Sequence, residues 1–221
     1  MYLGDMRKHI KTVMTHRKWV RHYCFKAGLY WQGLTHDLSK YNPVEFFESV
    51  KYYQGTSSPI DACKKEKGYS RAWLHHRGRN KHHREYWTDY YDKGCYSLIM
   101  PYKYAAEMVC DFLGAGRAYT GDKFTFSGEY DWWVAQLKKN ICIHPAIAYF
   151  VSHVLIECRE ANCADKVLTN LPVYYENAIN WWHDNFDNGH GGTYCNCNSL
   201  SYLDYLIETE FKKLDERGYR V

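Results

Sequence analysis

Apolar residues in this chain return at intervals of three and four. A sustained alternation of the kind a half-buried strand requires does not stand out. Met6, Ile10, Val13, Val20 and Cys24 lie on one stripe, which predicts a helix over residues 5 to 28 with Gly28 at its end. Asn42-Pro43 followed by Glu45 reads as an N-cap, a proline in the first helical position and an acidic third residue, opening a helix to about residue 53. Ser58-Pro59 repeats the signal for a helix to about residue 67. Further helical stretches are expected at 68–76, 82–90, 101–115, 129–139, 144–162, 172–183 and 200–217. Arg77-Gly78-Arg79-Asn80 reads as a turn, and residues 184–198 as a polar surface loop. The expected class is therefore all-α, without strands or internal repeats. The segment 119–128 is a soft boundary between a core at 1–118 and a C-terminal helical extension at 119–221, packed together as one globular unit.

Composition narrows the setting. A hydrophobic fraction of 46% supports a sizeable core, and 22 tyrosines and 8 tryptophans give much of it a polar atom needing a partner. A mean hydropathy of -0.61 and the lack of an apolar run of about 18 residues argue against a membrane span. The start of the chain lacks a basic-then-apolar leader pattern. Nine cysteines at scattered spacing fit reduced thiols better than a disulfide framework, and a cytoplasmic location follows as the expectation.

The chemistry concentrates around His36-Asp37. Adjacent side chains do not share a helix face, so a ligand common to both must sit at a helix end or a bend. The bland alternative is a capping Asp beside a core His. Other donors weigh against it: His16 on the buried side of the first helix, the pairs His75-His76 and His82-His83 flanking one turn, and Glu107 and Asp111 one helical turn apart. His16, His36, Asp37 and Asp111 would hold one divalent ion. One histidine from each pair, His76 and His83, would help hold a second, with Asp37 bridging and His75, His82 and Glu107 as further donors. Imidazole with carboxylate suits Mn, Fe, Co, Ni or Zn, and the sequence does not separate these from Mg. Such an ion acidifies and orients a water, supplying a hydroxide nucleophile. Asp37 would then serve the chemistry directly, while Lys40, Arg79 and Arg117, with Arg77 and Lys81 nearby, could neutralise phosphate oxygens.

The order helix His, His-Asp, intervening histidines and helix Asp resembles the HD superfamily of metal-dependent phosphohydrolases. In His36-Asp37-Leu38-Ser39-Lys40 the lysine three residues after the aspartate adds to the likeness. The resemblance implies an HD-like helical bundle over roughly the first 118 residues. It also implies a phosphohydrolase acting on a nucleotide or another small phosphoester. The stretches Leu34–Phe46 and Trp73–Trp87 look like an uncharacterised bacterial and phage-associated family, which implies no substrate.

Two other functions are open at this level. Basic residues between Lys64 and Arg84, interleaved with Tyr and Trp, could bind nucleic acid, although a net charge of +4 is small for that role. A helical scaffold with structural histidines is the other, and homo-oligomerisation is open in either case. His183, His190, Cys195 and Cys197 form a second donor set, but Cys-x-Cys is tighter than the usual zinc spacing.

Overall fold

The computed structural model describes residues 3–92, 94–139, 141–186 and 194–196. It is all-α in class, with one small antiparallel sheet. The chain forms two compact units, Met1–Tyr86 with Ala106–Phe124 and Trp87–Ala105 with Thr125–Val221. It thus passes between units three times, the last time between Phe124 and Thr125.

The first unit opens with α1 (Leu3–Lys26), which buries His9, Val13, His16, Val20, Tyr23 and Cys24 along one side. Gly28 at φ 73 turns the chain into α2 (Tyr30–Thr35), which packs back on α1. That approach is close enough that a Cβ on Gly33 would lie 2.9 Å from Cys24 Cβ. A 3-10 turn, Leu38–Tyr41, leads to α3 (Pro43–Lys51). Asn42 caps α3 as the sequence predicts, its Oδ1 accepting from Val44 N at 3.0 Å. Two short helices, α4 (Pro59–Lys67) and α5 (Arg71–Arg77), pack on α3. Ser70 caps α5 by accepting from Trp73 N, and the Glu48 carboxylate accepts from Ser70 Oγ and from the backbone N of Arg71 and Ala72.

From Ala106 onward α6 (Tyr102–Thr120) belongs to this unit, where it comes against α1. Gly114 stands near the end of the helix expected at 101–115, where a glycine ordinarily marks a fraying or ending helix. The helix instead continues for more than a turn beyond it, and a Cβ at Gly114 would lie 2.4 Å from Val20 Cγ2. The glycine is there because two backbones meet, not because the helix frays.

In the second unit α8 (Pro145–Glu160) is buried on nearly every side, between α7 (Phe126–Leu137) and α10 (Leu171–Phe186), with the short α9 (Asp165–Leu168) beside it. Trp133 Nε1 donates to Ser152 Oγ at 2.7 Å, giving its indole the partner that burial demands. The expected helix over 82–90 is replaced by a 3-10 turn at Arg84–Trp87 and then β1 (Thr88–Tyr91), paired with β2 (Gly94–Leu98). Thr88 and the two tyrosines suit a pleated surface better than a helix, and Asp92 at φ 53 adopts the conformation a tight hairpin turn needs. β3 (Tyr194–Asn196) joins β2 antiparallel, inside the stretch expected to be a loop.

Cys95 on β2 is disulfide-bonded to Cys142, 47 residues away, contrary to the expectation of thiols throughout. Cys24, Cys63, Cys110, Cys158 and Cys163 are free. The bond removes the cysteine argument for a cytoplasmic location. Among the described residues, no helix is long and apolar enough to cross a membrane. The helix expected at 200–217 lies outside the described residues.

Candidate metal centre

Asp37 sits where α2 ends and the 3-10 turn begins, at φ 54 and ψ 26. A non-glycine residue in the left-handed region carries a conformational cost, and such residues cluster at functional sites. Its position is that of an N-cap, yet its side chain makes no capping bond. The simple capping role therefore falls away, and the carboxylate points into the unit, 1% exposed. His36 is the C-cap residue of α2, so the pair lies at the bend that a shared ligand requires.

The two Asp37 oxygens face different donor groups. Oδ2 lies 3.3 Å from His16 Nε2 and 3.4 Å from His36 Nε2. Asp111 Oδ1 completes that group, 3.1 Å from His16 Nε2 and 3.3 Å from His36 Nε2. Oδ1 of Asp37 faces His76 Nε2 at 3.3 Å and His82 Nε2 at 3.6 Å. His83 joins this second group: one donor atom each from Asp37, His76, His82 and His83 lies within 4.8 Å of the others. Tetrahedral ligands about 2.1 Å from one ion are themselves about 3.4 Å apart, which is the spacing of the first group.

A simple test separates a ligand cluster from a satisfied polar core. In the latter each buried nitrogen and oxygen would have its hydrogen-bond partner. Here Asp37 Oδ1, His82 Nε2 and His83 Nε2 are buried without one of adequate geometry; His9 Nε2 on α1 is another such atom, but it belongs to no donor group. The first three all belong to the second donor group. The residues present therefore fit a bound divalent cation.

Behind the histidines stand two carboxylates that hold their far nitrogens. Glu107 Oε1 accepts from His36 Nδ1 at 2.9 Å and lies 3.1 Å from His82 Nδ1. Glu45 meets His76 Nδ1 at 2.7 Å and His75 Nδ1 at 2.5 Å. Donation from Nδ1 to a carboxylate fixes the tautomer and leaves Nε2 as the free lone pair, the usual arrangement behind a metal-ligating histidine. Glu107 can also be grouped with His36 and His82 as a third donor set, but it meets their Nδ1 side, opposite the Nε2 atoms that face Asp37. We therefore assign it the orienting role. Ser39 and Asn80 complete this layer: Ser39 Oγ donates to Glu45 Oε2 at 3.1 Å, and Asn80 Nδ2 donates to Ser39 Oγ at 2.8 Å.

The electrostatics follow from this crowding. Burial works against charge on Asp37, but His36, Lys40 and His76 outweigh it and hold the carboxyl well below the usual range. Asp111 is lowered in the same way by His16 and His36 against its burial. His36 is raised despite burial by the Asp37 carboxylate, and His76 to about 8 on the same grounds. His83 is pushed down by burial and by its neighbour His82. Protons and a cation would compete for the same imidazoles.

The candidate residues divide accordingly. His16, His36, Asp37, His76, His83 and Asp111 come together. His82 joins them as well, although one histidine per pair was expected. Residues 82 and 83 lie in a bend rather than a helix, so both rings can face one point. His75 turns away to Glu45 and belongs to no donor group. Lys40 Nζ pairs with Asp37 Oδ2 at 2.6 Å. Arg79 is exposed, with Nη1 on His75 O at 3.4 Å. Arg117 leaves α6 about 120° round from Asp111. It stacks over Phe124 at 4.3 Å and Trp19 at 5.1 Å and donates from Nε to Tyr23 Oη, so these contacts point it away from the cluster. Sequence reasoning assigned Glu45 only to a helix start, and nothing in the spacing signals that its 2%-exposed carboxylate faces two histidines. Of the second donor set, His183 lies on α10, while His190, Cys197 and the Cys195 side chain lie outside the described residues.

A family of unknown function (DUF5662) matches residues 5–156, a span that includes the entire cluster. No curated protein matches the chain, and no solved structure does.

Proposed function

The chain belongs to the family of unknown function DUF5662, which brings no activity with it, and from the cluster itself we propose a divalent-metal-dependent phosphohydrolase. The observation that carries this reading is the Asp37 carboxylate. Each of its oxygens faces its own set of donors, and the one facing His76 and His82 has no hydrogen-bond partner. His16, His36, Asp37 and Asp111 would hold one ion, and Asp37, His76, His82 and His83 a second. Five imidazoles favour Mn, Fe, Co, Ni or Zn over Mg or Ca, which take oxygen ligands. Bound there, the ions would supply positive charge against a phosphoryl oxygen and acidify a water.

The chain's own residues do the rest. Glu45 and Glu107 hold the imidazoles with Nε2 inward. Lys40 is held by one hydrogen-bonded pairing with Asp37, and its ammonium has further donors to offer a phosphoryl oxygen. Burial of the cluster limits free water and favours a small phosphoester. The ordering of these residues resembles that of the HD superfamily and supports the same reading.

The test is a panel of phosphomonoesters, phosphodiesters and nucleotides given to protein reconstituted with each metal. Metal-dependent phosphoester cleavage, lost in Asp111→Asn and reduced in kcat by Lys40→Ala, is expected. Stoichiometrically metallated protein that cleaves none of the panel would overturn the hydrolase reading.

A further inference from the structure

Away from the cluster, α1 carries a second constellation. Arg7, Lys11, Arg17, Lys18 and Arg21 line a groove of about 580 Å³ that runs between α1 and the segment containing Gly33, Leu34 and Tyr41. No acidic side chain lines it, and α1 holds one acidic residue, Asp5, in its first turn. Like charges three or four apart on a helix oppose folding slightly, so this row is tolerated against a cost. Arg7 to Arg21 spans about 21 Å of helix, enough for several phosphates of a strand.

The groove is also preorganised. Arg17 is fixed by donating from Nε to His36 O at 2.9 Å and from Nη2 to Leu34 O at 3.1 Å, with its guanidinium 5.5 Å over the Tyr41 ring. The remaining four cations are exposed. Apolar surface lies beside them: Met14 is 60% exposed, Leu34 50% and Tyr41 42%. Trp31, three residues before Leu34 and so on the same face of α2, is 72% exposed.

We propose that this groove binds single-stranded nucleic acid, with backbone phosphates along α1 and bases against Tyr41, Leu34 and Trp31. A cationic track beside exposed rings is the general solution for a strand of any sequence, since every base has a face to stack. A cleft of this size between two helices excludes a duplex from its floor, and a flat lipid surface would not use it.

The experiment is fluorescence anisotropy of a labelled oligothymidylate with the full chain, in EDTA, over a range of salt. Four or five phosphate contacts predict a slope of log K on log salt of about -3. The triple variant Lys11→Glu, Lys18→Glu, Arg21→Glu should lose at least tenfold in affinity and flatten that slope. Trp31→Ala should lose about tenfold at an unchanged slope. Absence of salt-dependent binding, or binding unaltered in the triple variant, would overturn the proposal. Competition by polyglutamate as effective as by oligonucleotide would reassign the groove to an acidic protein. Loss of anionic-vesicle binding with no loss of oligonucleotide binding would reassign it to a membrane surface. Circular dichroism and metal content of each variant control for folding. Because no variant touches the metal cluster and binding is read in EDTA, failure here leaves the hydrolase reading standing.

Discussion

Replacing Asp37 by Asn is the sharpest perturbation of the cluster, because it removes a charge and little else. Asn tolerates the left-handed conformation that position 37 adopts, whereas Ala would add a backbone cost of about 1–2 kcal/mol unrelated to any ligand. The substitution leaves an oxygen but cancels the charge shared by both donor groups. It also removes the counter-charge of Lys40, so the metal-free variant will itself melt differently. The informative quantity is therefore the shift produced by metal within each protein. An ion present at 100 times its Kd stabilises by about 2.7 kcal/mol. In a chain of this length each kcal/mol moves the melting temperature by about 2–4 °C, so chelated wild type should rise by about 5–10 °C on adding metal. Asp37→Asn should rise by a small fraction of that, and elemental analysis should show its metal content collapse. Thermal melts in chelator and in defined metal, run on both proteins, give the answer. Full stoichiometry and a full shift in Asp37→Asn would refute the assignment of Asp37 as the shared ligand.

Three other substitutions probe separate parts of the first unit. Glu107→Gln should weaken metal affinity by about 10–100-fold in a dye-competition titration while leaving the chain folded, and unchanged affinity would remove its orienting role. Gly114→Ala forces a Cβ into Val20 and should cost about 1–3 kcal/mol in urea denaturation; an unaltered midpoint would contradict the close approach of α6 to α1. His9 is buried with Nε2 unbonded, and burial, with Lys40 nearby, lowers its pKa from 6.5 to about 4. Below pH 6.5 the unfolded chain therefore takes up this proton first, and stability falls as pH drops towards 4. The loss amounts to about 3 kcal/mol, and His9→Gln should be spared it. Denaturation midpoints of the two proteins that fall in parallel over that range would count against a neutral buried His9.

Most helices were legible because their signals are local. The stripe on α1, the Asn42-Pro43 start of α3 and the Ser58-Pro59 opening of α4 depend on residues within a turn or two of each other. The hairpin was missed where Tyr and Trp serve either a helix or a strand, and only pairing partners decide between them. Arg117 misled because charge can be read along a chain, whereas the direction in which a helix presents it depends on the neighbours it packs against.

By itself the sequence determined an all-α chain, an adjacent His36-Asp37 pair and a supply of donors on separate helical segments. Tertiary structure alone decided that His16, Asp111 and three of the four paired histidines meet at the two oxygens of Asp37. It also decided that Glu45 and Glu107 stand behind those rings, and that Cys95 reaches Cys142. Helical period and capping act over a few residues. The donors come from α1, the bend, α5, the bend at residues 82–83 and α6, and only packing of side chains distant in sequence sets the ångströms between them.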